Sequence, residues 1–199
     1  MGNKVFCNIS ISADGYVAGP GQTAEKPFGD GPVDQLHAWM VDTPDENKAE
    51  VDQILDAGAF VMGRNMFGPV RGDWDLSWTG WWGEDPPYHA PVFVLTHHPR
   101  DPVTMQGGTT FTFVTDGIHA ALDQAGKAAG DRDVAIAGGA ATANQYLAAG
   151  LVDELRIHIA PVTFGAGERL FDGVPQLRLE PLAVRAASLT THISYRVLH

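Results

Sequence analysis

The stretch VAIAGGAATANQYLAAG, Val134 to Gly150, decides how this chain is read. Small apolar residues run into Gly138-Gly139, and an Ala/Leu-rich helical pattern follows at once. A buried strand that feeds a helix directly sets the helix N-terminus at the carboxyl edge of a sheet, where open α/β sheets bind ligands. Unpaired N–H groups and the positive end of the helix dipole face outward there. Glycine has no Cβ, so a phosphate or another backbone can come close. Ala140, Ala141 and Thr142 continue the small-residue surface, and Thr142 adds a hydroxyl. This arrangement suits a diphosphate. It is neither GxGxxG nor GK[ST], so it is not a recognised nucleotide fingerprint, and the same glycines would also serve close strand–helix packing alone.

Two further junctions repeat the pattern. In FVMGRNMFG, an apolar strand ends at Gly63, and Arg64, Asn65 and Met66 open a short helix. An arginine at that place can pair with phosphate through its planar fork. In VFVLTHHPR, Thr96, His97, His98 and Arg100 follow a strand end. Together the three junctions point to an anionic ligand more strongly than any one of them does.

The rest of the chain supplies the frame. Strands are expected at 5–10, 59–63, 91–96, 109–115, 133–138 and 152–164, and helices at 33–40, 43–58, 117–130 and 140–150. Thr43, Pro44 and Glu46 read as a capping box opening the second helix, and Asp116 as the cap of the third. The alternation predicts one α/β domain over residues 1–199, with a mostly parallel central sheet, helices on both faces and antiparallel C-terminal strands from LRLEPLAVRAA and THISYRVLH. Residues 69–90 read as a long aromatic surface loop holding Trp74, Trp78, Trp81 and Trp82, which suits a flat substrate or a partner surface.

Composition excludes several classes. With 199 residues and a net charge of −11, the chain is long enough for a real core and ill suited to nucleic acid or anionic membranes. No apolar run reaches spanning length. No secretory leader is expected, and Phe6 stands where a lipidated Met1-Gly2 start would need Ser or Thr. Cys7 is the only cysteine and lies in an apolar run, which fits a buried, inert thiol and a cytoplasmic location. His97 and His98 are adjacent and would point to opposite faces of a strand, so no metal site is expected. His158, on a strand, reads as a core or interface residue.

In this order, ISADGYVAG, VMGRNMF, VFVLTHHPR, VAIAGGAATANQYL and VDELRIHIAPVTFGAGERLF resemble the dihydrofolate reductase-like family related to the C-terminal reductase domain of bacterial riboflavin biosynthesis enzymes. The resemblance spans nearly the whole chain. It implies a dihydrofolate reductase-like fold, NADPH as cofactor, a small-molecule substrate and a homodimer. Carried over by residue, it implies that Gly138, Gly139, Ala140, Ala141 and Thr142 hold the diphosphate, and that Gly63, Arg64, Asn65 and Met66 contact the diphosphate and the 2′-phosphate. Thr96 and His97 would flank the adenosine, with His98 and Arg100 as further 2′-phosphate partners. Val17 and Ala18 would approach the nicotinamide.

On the substrate side, Asp14 of SADG and Asp34 of the first helix are the candidate carboxylates. Asp14 would equally serve an Asp-Gly turn, and Asp34 reads better as a helix cap. Trp39 and Phe67 are candidate pocket walls that would otherwise be core. Tyr16 stands where riboflavin-type reductases usually carry a basic residue, and no HxE or CxxC deaminase motif is present. The expectation is an NADPH-dependent reductase of a small heterocyclic or carbonyl compound. The alternatives are a 5-amino-6-(5-phosphoribosylamino)uracil reductase and a non-catalytic nucleotide-binding protein on the same fold.

Overall fold

A computed structural model describes residues 3–68 and 72–199. Met1 and Gly2, on which the lipidation reading fell, and residues 69–71 of the aromatic loop lie outside the described residues. In chain order the elements are β1 (Val5–Ser12), β2 (Tyr16–Ala18), α1 (Val33–Val41), α2 (Lys48–Leu55), β3 (Ala59–Gly63), α3 (Arg64–Phe67), β4 (Pro91–Leu95) and β5 (Val103–Thr104). There follow β6 (Thr110–Val114), α4 (Gly117–Ala129), β7 (Val134–Gly138), α5 (Ala140–Ala148), β8 (Glu154–Ala160), β9 (Glu168–Arg169), β10 (Arg178–Ala186) and β11 (Thr191–Leu198).

Nine strands form one sheet in the order β10-β11-β8-β1-β7-β3-β4-β6-β5. Every pairing from β8 to β6 is parallel. The C-terminal strands add the expected antiparallel edge. The other edge carries a second antiparallel strand, β5, too short to show a period in sequence. A small ribbon, β2 with β9, lies apart from the main sheet.

Strand alternation sorts the core into two layers. On one face Cys7, Val61, Ile136 and Leu155 meet Ala121 and Ala125 of α4 and Tyr146 and Leu147 of α5. On the other, Phe60, Met62, Val94 and Phe111 meet Phe67 of α3, Tyr88 and three loop tryptophans. Burial raises the Cys7 thiol to about 12, so it is inert.

Three local expectations change. The second helix begins at Lys48, not near Thr43. The Asn47 side chain donates to the Trp39 and Thr43 carbonyls at 2.9 Å each, which holds residues 43–47 as turns. Strand β8 stops at Ala160, and the backbone beyond it turns toward Asp14. Asp116 does precede α4, but its side chain makes no capping bond.

Candidate functional site

The three strand–helix junctions meet in one cleft of about 820 Å³. Gly63, Arg64, Asn65, Met66, Thr96, His97, His98 and all of Gly138 to Thr142 line it, as do Val17 and Ala18. The sheet explains the convergence, because β7, β3 and β4 are parallel neighbours that end on the same edge.

Gly138 has φ +101°, a backbone that side-chain-bearing residues rarely adopt, and the Gly138-Gly139 peptide is cis. Gly139 is different. It caps α5 with φ −69°, and a Cβ built there meets no atom within 4 Å. The space in front of Gly139 therefore belongs to the cleft, and packing alone does not explain this glycine. The small-residue start of α5 fits a diphosphate, since the amides of Ala140 and Ala141 have no intrahelical partner, while that of Thr142 donates to the Gly139 carbonyl at 3.1 Å. Gly63 is close-packed: a Cβ there would overlap Thr142 Oγ1.

Arg64 lies on the cleft wall, stacked 3.9 Å from the centre of the Trp74 ring and donating to the Asp73 carbonyl at 3.3 Å. Thr96 Oγ1 accepts from the His98 amide at 3.1 Å, which fixes the turn after β4.

Five expected site residues lie outside the cleft lining. Arg100 turns away and donates to the Trp78 and Leu76 carbonyls at 2.6 and 3.1 Å, holding the aromatic loop. Phe67 is fully buried between Trp74, Phe111 and Phe113. Trp39 is fully buried and donates to Ser10 Oγ at 3.1 Å. Asp34 is exposed in the first turn of α1, where Pro32 holds the cap position, so it is neither the cap nor a cleft carboxylate.

Asp14 ties two loops together. Its carboxylate accepts from Ser12 Oγ at 2.6 Å and from the amides of Phe164 and Gly165 at 3.0 and 2.7 Å. The Ser12 hydroxyl, then these amides, lower its pKa to about 2. The aromatic loop lies at the surface, with most of its described residues exposed, but three of its tryptophans turn inward. Trp74 donates to the His98 carbonyl and Trp78 to that of Phe67, while Trp82 stacks on Phe111. Only Trp81 and Trp82 of the four reach the cleft.

The other half of the cleft holds groups that sequence reading did not assign: Asn8, Ser10, Phe28, His37, Met40 and His158. Phe28 and His37 pack with ring centres 4.8 Å apart, and burial lowers His37 to about 4. Asn8 and Ser10 had a legible signal in the apolar/polar alternation of CNISIS. His158 had none. Ser10, His158 and His192 are cross-strand partners on β1, β8 and β11. His158 Nδ1 lies 2.7 Å from His192 Nδ1, and its Nε2 lies 2.9 Å from Asn8 Oδ1. Burial, then the neighbouring His192, pushes His158 down to about 3. Among the described lining residues, Arg64 is the only Arg or Lys and Glu168 the only carboxylate.

Residues 3–194 match the RibD C-terminal domain family. The chain is 25% identical over 206 residues to the uncharacterised protein YyaP of Bacillus subtilis, covering 98% of this chain and 94% of that protein. A protein of Shewanella sp. PV-4 assigned to riboflavin biosynthesis is 25% identical and superposes with a TM-score of 0.67, covering 100% of both chains. The dihydrofolate reductase of Enterococcus faecalis, complexed with NADP(H) and RAB-propyl, shares the fold at a TM-score of 0.56 and 13% identity, covering 98% of this chain and 96% of that one.

Proposed function

The chain belongs to the RibD C-terminal domain family, and we propose that it is an NADPH-dependent reductase that passes hydride to a small, neutral heterocyclic or carbonyl compound. One observation carries the reading: the residues of three separate junctions line a single cleft, and the space in front of Gly139 is open.

Bound NADPH would supply the hydride. The protein's part is to hold the reacting groups together and exclude water. The amides of Gly139, Ala140 and Ala141, with the Thr142 hydroxyl, would bind the diphosphate. Arg64 would take the 2′-phosphate, with Asn65 and Met66 beside it. Thr96, His97 and His98 would border the adenosine, and Val17 and Ala18 the nicotinamide. The acceptor would lie in the other half, between Phe28, His37 and Met40.

That half argues for a neutral acceptor. Its described lining residues include no Lys or Arg, so a ribose phosphate would find no cationic partner there. This disfavours 5-amino-6-(5-phosphoribosylamino)uracil. We also take the protein as a cytoplasmic homodimer. The outer strand β10 exposes Leu182 at 44% and Val184 at 66%, an apolar edge suited to a second copy.

Titration of the purified protein with NADPH and NADH, followed by nicotinamide fluorescence, tests the reading. Selective NADPH binding is expected. Failure to bind either nucleotide overturns it.

A further inference from the structure

We propose that His158 is the proton donor to the acceptor, and that His192, Asn47 and Arg185 position it. The proposal rests on the reductase reading.

The argument starts at Asn47, which is buried. Its amide Nδ2 donates to two backbone carbonyls, those of Trp39 and Thr43. Its Oδ1 therefore faces the other way, where Arg185 Nη2 donates to it at 2.8 Å. Glu50 holds that guanidinium by two hydrogen bonds of 2.8 Å. His192 Nε2 lies 2.9 Å from the same oxygen, so this nitrogen carries hydrogen. A neutral His192 then presents a bare Nδ1. His158 Nδ1, only 2.7 Å away, must be the N–H that donates to it.

The chain of contacts thus fixes the tautomer of His158. Its second nitrogen, Nε2, is left to exchange a proton beside Asn8, and both residues line the cleft. A third group orienting an imidazole so that its far nitrogen does the chemistry is a recurrent catalytic arrangement. Asn8 Nδ2 donates to the Gln53 carbonyl at 3.3 Å, so its Oδ1 faces His158 Nε2 and accepts from the protonated ring. Opposite the neutral ring the amide turns over, donates its NH₂ to Nε2 and gives up the Gln53 bond.

The step balances. An acceptor carbonyl gains hydride at carbon from the reduced nicotinamide, which is oxidised. The C=O π pair moves to oxygen, the His158 Nε2–H bond breaks and an O–H bond forms. His158 is left neutral, with its Nδ1–H still on His192. The next proton enters from solvent through the cleft.

Several charged and titratable groups face the pair: His37 from α1, Glu46 and Glu50 from α2 and the turn before it, Arg156 from β8 and Arg185 from β10. Burial favours the neutral pair, and Glu50 and Glu46 oppose that. Loading of the ring, and with it turnover, should therefore rise toward acid pH.

Two measurements test this. The first is ¹⁵N–¹H NMR of the histidine rings. At neutral pH, His158 is expected as the Nδ1–H tautomer in wild type and to lose that preference in His192→Phe. His192→Gln, whose carbonyl oxygen accepts from Nδ1–H, should keep it. A wild-type His158 protonated only at Nε2 overturns the proposal.

The second measurement is NADPH oxidation with 9,10-phenanthrenequinone, a flat neutral dicarbonyl, as probe. His158→Gln is expected to bind NADPH as wild type does, to lose about a hundredfold in rate, and to lose the acid-side rise. NADPH binding with an unchanged rate and pH slope in His158→Gln overturns the proposal. Absence of NADPH binding by wild type overturns the reductase reading instead, and the ring tautomer then still decides whether the positioning chain exists.

Discussion

Gly63 and Thr142 are locked against each other: a side chain at the first would overlap the hydroxyl of the second. The contact joins the end of β3 to the first turn of α5, so the two junctions form one surface. Gly139, a few residues away, has open space where its Cβ would be. The same residue type does opposite jobs at the two places, and mutation separates them.

Gly139→Val should leave the fold intact, because φ −69° suits any residue and the added side chain meets no protein atom nearby. It should weaken NADPH at least tenfold, about 1.4 kcal/mol, by filling the cradle. Nucleotide titration beside a thermal melt checks both halves. Normal binding by this variant would leave the glycine without a part in the site.

Gly63→Ala should do the reverse. The new methyl group strikes Thr142 and forces the two junctions apart, at a cost of about 1–3 kcal/mol in stability. Chemical denaturation measures it. The double variant Gly63→Ala/Thr142→Ala should recover part of the loss, because the obstructing hydroxyl is gone.

Arg64→Ala should weaken NADPH by roughly tenfold and NADH much less, since only the former carries a 2′-phosphate. Equal loss for both would move Arg64 to the diphosphate. Arg100→Met is the control. It leaves the Leu76 and Trp78 carbonyls without their donor and should cost stability, about 1–3 kcal/mol, with no change in the ratio of NADPH to NADH affinity.

Asp14 gives a pH test. Its folded pKa, about 2, lies below the usual 3.8. A carboxylate lowered on folding adds stability that is fully present above its unfolded pKa and is lost as pH falls through the folded one. Its contribution should therefore fade between pH 3.8 and about 2. Asp14→Asn should lower the urea midpoint at pH 7 and remove that part of the acid sensitivity. An unchanged midpoint would show that the carboxylate does not hold the Phe164–Gly165 loop.

What could be read from sequence was local. Gly138-Gly139, Gly63 and Thr96 announce themselves because a strand, a break and a helix start follow one another within a few residues. Arg100 and Phe67 were misplaced because their surroundings come from elsewhere: Arg100 is drawn to carbonyls at 76 and 78, and Phe67 to rings at 74, 111 and 113. Trp39 showed an apolar helix face in sequence, but not which face of the sheet would cover it. His158 read from sequence only as a core or interface residue on a strand. Its meaning depends on His192 and Asn47, which reach it only through strand register and a turn whose form the capping box had misstated.

The place of β1 between β7 and β8 bears on how the protein is made. Strand β1 is synthesised before its sheet neighbours and pairs only with segments that begin at residues 134 and 154. Until both are synthesised, VFCNISIS has two bare edges. Contacts this distant in sequence form late and slowly, and an uncovered strand invites pairing with other chains. A nascent chain stalled before Val134 is therefore an aggregation hazard, and a holdase that shields β1 should govern the yield.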